Sequence, residues 1–425
     1  MNSLEFEKIV DDAEYINYDY GDHGETVLSV HFQSCFYFWN GHTPEIRQAI
    51  LNCYTKYIEL WGSHITWGFD PLTGWKQKKI SNLPSLQDVI TKRADPDDII
   101  EWYVADGGFE DVEIEYANRY VFSFLTNRAW QIQHGNILYF RLPRDLFFNQ
   151  TTQEEILRFN QYCIQQLRPW YMVSGMQAAT PFSDEGVKID LVSQARDFKG
   201  IYIEDSWDTM RMPYGIRSFD WLTFVSNDLS EKIGGVLKLQ DTLRKAKLRF
   251  QTIDNGVLVQ ASDYPELIPN GTPDPESYLK LNHILRPLRD GNYGSMGDAT
   301  YLGDNDRSQS FDIPLTDLWM RRFDHERVWN DLESTAKSRK SKFIVKLSTN
   351  HICEISGRYR YEDDYDYVRN EPMPFEEPDS RENDHRSYII LNKGDIAPYY
   401  LKLGQHGQLV ETMEIEWTLF EEFNY

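Results

Sequence analysis

The chain has 425 residues, 41% of them hydrophobic and 26% charged, which is enough for two or three domains with a large core and excludes a disordered or fibrous class. Its 67 acidic residues against 44 basic ones give a net charge of −23, which argues against a duplex-binding surface, because phosphates must be met by a positive face. No apolar run approaches the roughly eighteen residues that a membrane span requires.

In chain order, the opening MNSLEFEKIVDDAEY lacks a basic stretch before an apolar one, so no signal peptide and a cytoplasmic location are expected, with residues 1–26 a polar lead-in. Residues 27–39 alternate as a strand does. Thr43, Pro44 and Glu45 then form a strong helix start, and Ile46, Ala49, Ile50, Cys53, Tyr57 and Trp61 mark one buried helical face. A strand over 64–69 completes a β-α-β unit. Residues 95–104 read as a further helix and 112–127 as one or two strands. A second β-α-β unit follows: a strand over 137–142, a helix opened by a capping box of Thr152 and Glu155 and burying Ile156, Phe159, Cys163 and Leu167, and a return strand over 171–178.

Residues 219–225, Phe-Asp-Trp-Leu-Thr-Phe-Val, read as a buried strand. Ser226-Asn227-Asp228 offers the N-cap of a short helix that Gly234 and Gly235 stop. Residues 249–261 predict a hairpin with Asp254-Asn255-Gly256 at a type I′ turn. Asp274 as N-cap and Pro275 open a helix that turns Tyr278, Leu281, Leu285 and Leu288 inward. Residues 289–310 are rich in Gly, Asp and Ser and read as loop. Near residue 335 the chain changes character, with five basic residues in 337–346, and 362–384 holds ten acids, two arginines and three prolines, an exposed insertion.

Three of these stretches carry a resemblance. The W-L-T-F run with its short helix ending in Gly-Gly is similar to the central motif of the TsiV-type immunity family, bacterial proteins that protect a cell from a type VI secretion effector. Pro275, Tyr278, Leu281, Leu285 and Pro287 resemble that family's L-x-P helix, and Trp319-Met320-Arg321-Arg322-Phe323 its closing W-x-x-R-F. The resemblance covers about residues 136–325, with 27–71 a plausible N-terminal part. Further on, Cys353-x-x-Ser356-Gly357-x-Tyr359 and Gly394-Asp395-x-x-Pro398, followed by Trp417, resemble a small β module of several immunity proteins, with Tyr359 where Trp is more usual.

Little in the sequence suggests chemistry. The histidines show no zinc spacing, Ser174 lacks a nucleophile elbow, and His351 on the same strand face as Cys353 has no orienting third group. The four cysteines, Cys35, Cys53, Cys163 and Cys353, form no C-x-x-C pair and read as reduced thiols. Asp304 with Asp306, and Asp363 with Asp364 and Asp366, lack the remaining ligands of a calcium loop. No catalytic, metal or cofactor site is expected. The candidate contact surface is the acidic-aromatic run Tyr361, Glu362, Asp363, Asp364, Tyr365, Asp366 and Tyr367, where tyrosines offer area and carboxylates steer a basic partner. Asp304 and Asp306 are a second candidate.

The expectation is an α+β protein of β-α-β units with mixed or antiparallel sheets: a domain over 27–335, in which 27–130 and 131–335 could be pseudo-repeated halves, and a β-rich domain over 336–425. The resemblance implies an immunity protein that occludes a cognate secreted toxin, with no nucleic acid, membrane or cofactor involved; charge complementarity points to a basic toxin, and the negative charge together with the resemblance favours a nuclease. The alternatives are a hydrolase acting on toxin damage and an adaptor that loads an effector.

Overall fold

The computed structural model describes residues 18–20, 25–107, 117–131, 135–179, 198–202, 215–269, 271–289, 313–324, 337–361, 365–366, 371–372, 388–403 and 409–424. Strands β1 (Tyr18–Tyr20) and β2 (Glu25–Phe38) precede helix α1 (Pro44–Trp61). Then come β3 (Trp67–Asp70), β4 (Lys76–Lys79), α2 (Leu86–Lys92), β5 (Ile100–Ala105), β6 (Val121–Thr126), β7 (Asn136–Leu142), α3 (Gln150–Leu167) and β8 (Tyr171–Ala179). The family-like stretch supplies β9 (Leu222–Ser226), α4 (Asn227–Ser230), α5 (Val236–Ala246), β10 (Arg249–Ile253), β11 (Gly256–Gln260), α6 (Glu276–Leu285) and α7 (Ile313–Met320). The remainder is β12 (Lys337–Ser348), β13 (Gly357–Tyr361), β14 (Tyr365–Asp366), β15 (Glu371–Pro372), β16 (Tyr388–Leu391), β17 (Tyr400–Leu403), β18 (Leu409–Met413) and β19 (Glu416–Asn424).

Eleven strands form one sheet in the order β10-β11-β9-β8-β2-β7-β6-β5-β3-β4, with β1 on β2, and every ladder in it is antiparallel. The fold is α+β, and of the expected mixed or antiparallel sheets it is the antiparallel form that occurs. Because β2 pairs with both β7 and β8, the strands joined through α3 run parallel to each other but are separated by β2. The two expected halves therefore interleave within one sheet.

Period-two patterning makes β2 central. Val30, Phe32, Phe36 and Phe38 face a first core with α1 and α3, whereas Cys35 and Tyr37 face a second core with α5 and α6. The helix faces read from the sequence are those observed: Ile50, Cys53, Tyr57 and Trp61 of α1 meet Ile156, Phe159, Cys163 and Leu167 of α3 in the first core. Thr43 caps α1 by accepting the Ile46 amide at 3.4 Å, with Pro44 at its first position.

Several local expectations are corrected. Residues 95–104 are not a helix. Asp95 closes an Asx turn on the Asp97 amide, and the chain then alternates as β5, with Trp102 and Val104 in one core and Tyr103 and Ala105 in the other. The helix here is the earlier α2, capped by Ser85 on the Asp88 amide at 3.1 Å. Asn149, not Thr152, caps α3, accepting from Thr151 at 2.8 Å, and Thr152 instead donates to the Asn149 carbonyl at 2.9 Å. Asp274 does not cap α6, because Lys199 takes its carboxylate at 2.6 Å. Residues 62–64 form a 3-10 turn ahead of β3, and the His64 ring stacks on Tyr120 at 4.2 Å.

The hairpin turn also differs. Ile253 pairs with Gly256, so the turn is Asp254-Asn255, and neither residue has positive φ, which excludes type I′ geometry. Gly256 is needed for another reason. A Cβ there would lie 2.2 Å from the Val225 carbonyl oxygen and 2.5 Å from the Phe224 ring, so glycine is what lets β11 approach β9.

A second sheet, β12-β19-β13-β16, is also antiparallel and has its own core of Leu347, Cys353, Tyr359, Ile389, Ala397, Tyr400, Trp417 and Leu419. Ile390 and Phe423 face away from that core and join the first core with Leu318, Trp319 and Met320 of α7.

Gly256→Ala is expected to destabilise the protein by about 2 kcal/mol through overpacking at the β9–β11 contact. Urea denaturation would measure this as a lowered midpoint at unchanged slope, and an unchanged midpoint would show that the strands separate without cost.

Candidate functional site

The three stretches that set this chain apart in the sequence meet at one place. Asp220, just before β9, is 1% exposed. Its carboxylate accepts from the Trp221 amide at 2.6 Å and from the Tyr278 hydroxyl of α6 at 3.0 Å. Phe219, Tyr278 and Phe323 form a ring triangle with centroids 5.4 to 6.1 Å apart. Arg322 lies over Trp319 and Phe323 at 4.4 and 4.8 Å and donates to the carbonyls of Lys199 and Trp319 at 2.7 and 3.2 Å. Lys199, also over Phe323, is bound by Asp274. Gly175 of β8 completes the site, since a Cβ there would sit 2.3 Å from the Asp220 carboxyl group.

Burial dominates the electrostatics. It raises the Asp220 pKa to about 7, partly offset by the Arg322 charge and the bonds from Trp221 and Tyr278. Burial likewise lowers Arg322 to about 10 against the opposing pull of Asp220. One Asp220 oxygen, Oδ2, has no hydrogen-bond partner. A raised carboxyl beside a tyrosine and an arginine has the composition of an acid–base site, but Asp220, Tyr278 and Arg322 are each 1% exposed. Without access to a substrate, the cluster's role is to join β8, β9, α6 and the segment after α7.

The neighbouring arginine works outward. Arg321 donates to Asp317 at 3.0 Å and to Asp395 of the second sheet's loop at 3.1 Å, and Asn392 donates to Asp317 at 3.2 Å. Next to it, burial would raise Asp324, but the charge and bonds of Arg289 and the Asn282 amide hold its pKa at about 2. The adjacent residues Arg321 and Arg322 thus fasten the second sheet and the buried Asp220 cluster respectively.

The remaining chemical candidates are structural. Ser174 is buried with its hydroxyl 2.6 Å from that of Ser34. Cys353 is buried and donates to the Ile355 carbonyl at 3.0 Å and to Tyr359 Oη at 3.3 Å, and burial raises its pKa. His351 is exposed in a turn, so the expected shared face with Cys353 does not occur. His31 is buried as the neutral form, its pKa pushed well below the usual value by desolvation and by Arg141, Arg144 and Arg119. Among the described residues no group of three or more His, Cys, Asp or Glu side chains could hold a metal, and no helix is long and apolar enough to cross a membrane.

Of the expected contact residues, Tyr361 ends β13 half-buried, its ring 5.1 Å from Tyr400 and 6.5 Å from Trp417. Tyr365 and Asp366 form β14, paired with Pro372 and Glu371 of β15. Glu362, Asp363, Asp364, Tyr367, Asp304 and Asp306 lie outside the described residues. Sequence reasoning passed over Asp220, Lys199 and Arg321. The available signal was an acid inside an aromatic run, Phe219-Asp220-Trp221. Its partners lie on distant segments that spacing does not connect.

Residues 49–323 match the family model for TsiV, described as type VI immunity for VRR-NUC. Among solved structures, the chain is similar to the Pseudomonas aeruginosa T6SS protein PA0821, at 21% identity and a TM-score of 0.64, over 75% of this chain and 91% of that one. That likeness is one of fold. No curated protein matches the sequence.

Two substitutions test these assignments. Asp220 has a folded pKa raised above its unfolded value, so its favourable contribution is complete below about pH 4 and is lost as pH rises through about 7. Relative to Asp220→Asn, the unsubstituted protein should gain up to about 1.4 kcal/mol per pH unit on going from pH 7 towards 4; parallel stability curves would refute the assignment. Arg321→Ala removes the Arg321 cation from Asp317, which is fully buried, and should cost about 3 kcal/mol in chemical denaturation.

Proposed function

This chain belongs to the TsiV family of type VI immunity proteins, and on that footing we propose that it neutralises a VRR-NUC nuclease by stoichiometric binding in the cytoplasm, occluding the nuclease without cofactor or catalysis. The observation that carries this reading is the family match over 49–323. Two further points support it. A nuclease must present a positive face to its substrate, and a chain with a net charge of −23 complements such a face and accelerates encounter. The motif residues are occupied in a buried cluster, which leaves neutralisation to the surface.

Within this reading the contact candidates are the acidic-aromatic run Tyr361, Glu362, Asp363, Asp364, Tyr365, Asp366 and Tyr367, followed by the loop of Asp304 and Asp306. The toxin-facing work is divided between a domain over 27–335 and a smaller one over 336–425. Tyr361 packs on Tyr400 and Trp417.

The test is titration of the purified VRR-NUC nuclease of the same bacterium with this chain. Cleavage should stop at one equivalent, and inhibition should weaken in high salt. Charge reversal of Glu362, Asp363 and Asp364 to Lys should slow association by about tenfold. A nuclease that stays active in a molar excess of this chain would sink the proposal.

A further inference from the structure

The net charge of −23 hides a local reversal. Over α5, α6 and the residue that follows each, the chain carries six basic side chains, Lys238, Arg244, Lys245, Lys247, Lys280 and Arg286, against the acids Asp241 and Glu276. Both helices turn apolar residues into the second core, Leu239 and Leu243 from α5 and Tyr278, Leu281 and Leu285 from α6. That leaves the bases on the outer side, where all but the half-buried Lys280 are exposed. The charge of Lys247 reaches Glu276 from one helix to the other. The most exposed large hydrophobic side chain among the described residues, Leu237 at 78%, stands on α5, and α6 adds Leu279 at 40%.

Helix stability explains only part of this face. Arg244 and Lys245 lie in the last turn of α5, where cations suit the helix dipole, and they reach Asp241 at 3.6 and 2.6 Å. Lys280 pairs with Glu276 at 2.8 Å. Lys238, however, stands in the first turn of α5, where a cation opposes the dipole and no acid accompanies it. Its stem has room made for it, since a Cβ on Gly234 would lie 2.7 Å from Lys238 Cδ. Leu237 beside it buries almost nothing for the fold. The two helices are fixed from beneath, α6 by the Tyr278 bond to Asp220 and the start of α5 by the Gly235 amide on the Ser230 carbonyl at 2.9 Å. A surface this constrained has little ordering entropy left to lose on binding.

We propose that the outer face of α5 and α6 seats on the metal-holding carboxylates of the toxin nuclease, with Leu237 packed beside them. This rests on the function proposed above and adds the place of contact and the group it takes. The occupant follows from charge complementarity. A nuclease that works through divalent metal ions gathers carboxylates at one point, within a surface otherwise positive enough to hold a nucleic-acid backbone. The two signs of charge in this chain answer both parts. Its overall negative charge suits the positive surround and steers the encounter, whereas the acidic centre is matched only by a local cationic face. Seated there, Lys238 and Lys247 compete with the metal ions for the same oxygens, and Leu237 helps to exclude water from the contact.

The experiment measures, by calorimetry, the affinity of the VRR-NUC nuclease for the full chain and three variants. Lys238→Glu/Lys247→Glu reverses the charge of the face and Leu237→Ser removes its apolar contact. Lys76→Glu/Lys92→Glu makes the same change in net charge on β4 and α2. All five side chains are exposed, so every variant should melt as the unsubstituted protein does. The α5 double variant should bind about 100-fold more weakly and Leu237→Ser about tenfold, while the β4–α2 variant binds normally. Added Mg2+ at fixed ionic strength should weaken binding of the unsubstituted chain and leave the residual binding of the α5 double variant unchanged. Undiminished binding by the α5 variants, equal weakening by the β4–α2 variant, or indifference of the unsubstituted chain to Mg2+ overturns this inference and leaves the proposed function standing. So does a Leu237→Ser chain that binds fully and loses only self-association in sedimentation, since the face would then join two copies. An unsubstituted chain that neither binds nor inhibits the nuclease overturns both.

Discussion

An acid shielded from water must either be matched by its surroundings or give up its charge, and Asp220 does some of each. Its position is set by the Trp221 amide, the Tyr278 hydroxyl and the glycine at 175 that leaves room for it. The carboxyl joins the start of β9 to helix α6 on the second face and sits against β8, the strand with which β9 pairs, while the Arg322 charge reaches it from the segment following α7. Removing any one of these would leave a buried polar group without a partner, which costs more than the bond itself contributes. That asymmetry makes the cluster a lock on the arrangement more than a source of net stability.

Much of this fold is legible in the sequence because its principal elements obey single periods. The Phe32, Phe36, Phe38 alternation, the three-and-four spacing from Ile50 to Trp61 and the Ser226 cap with its Gly234-Gly235 stop all describe the observed elements. The errors share a cause. At 95–104, at Thr152 and at Asp274, a polar side chain that would suit a helix start is committed elsewhere: Asp95 to its own turn, Thr152 to the preceding carbonyls, and Asp274 to Lys199, a residue 75 positions away. Local rules cannot rank a nearby amide against a distant ammonium group. The same limit hides the site, because the partners of Asp220 are neighbours only after folding.

The second sheet illustrates how a change in composition can mislead about independence. It has its own core, yet Ile390 and Phe423 belong to the first one, and Arg321 and Asn392 meet over Asp317 at the junction. The second sheet is therefore braced against the larger body.

The placement of β2 between β7 and β8 has a consequence for how the protein comes into being. Its register with β7 joins Phe38 to Asn136, 98 positions later, and β8 comes later still. Until then a strand rich in phenylalanine has neither neighbour, and closing such distant pairings is slow and exposes apolar surface to aggregation. The centre of the sheet therefore closes late, once β7 and β8 are both present to cover the two edges of β2.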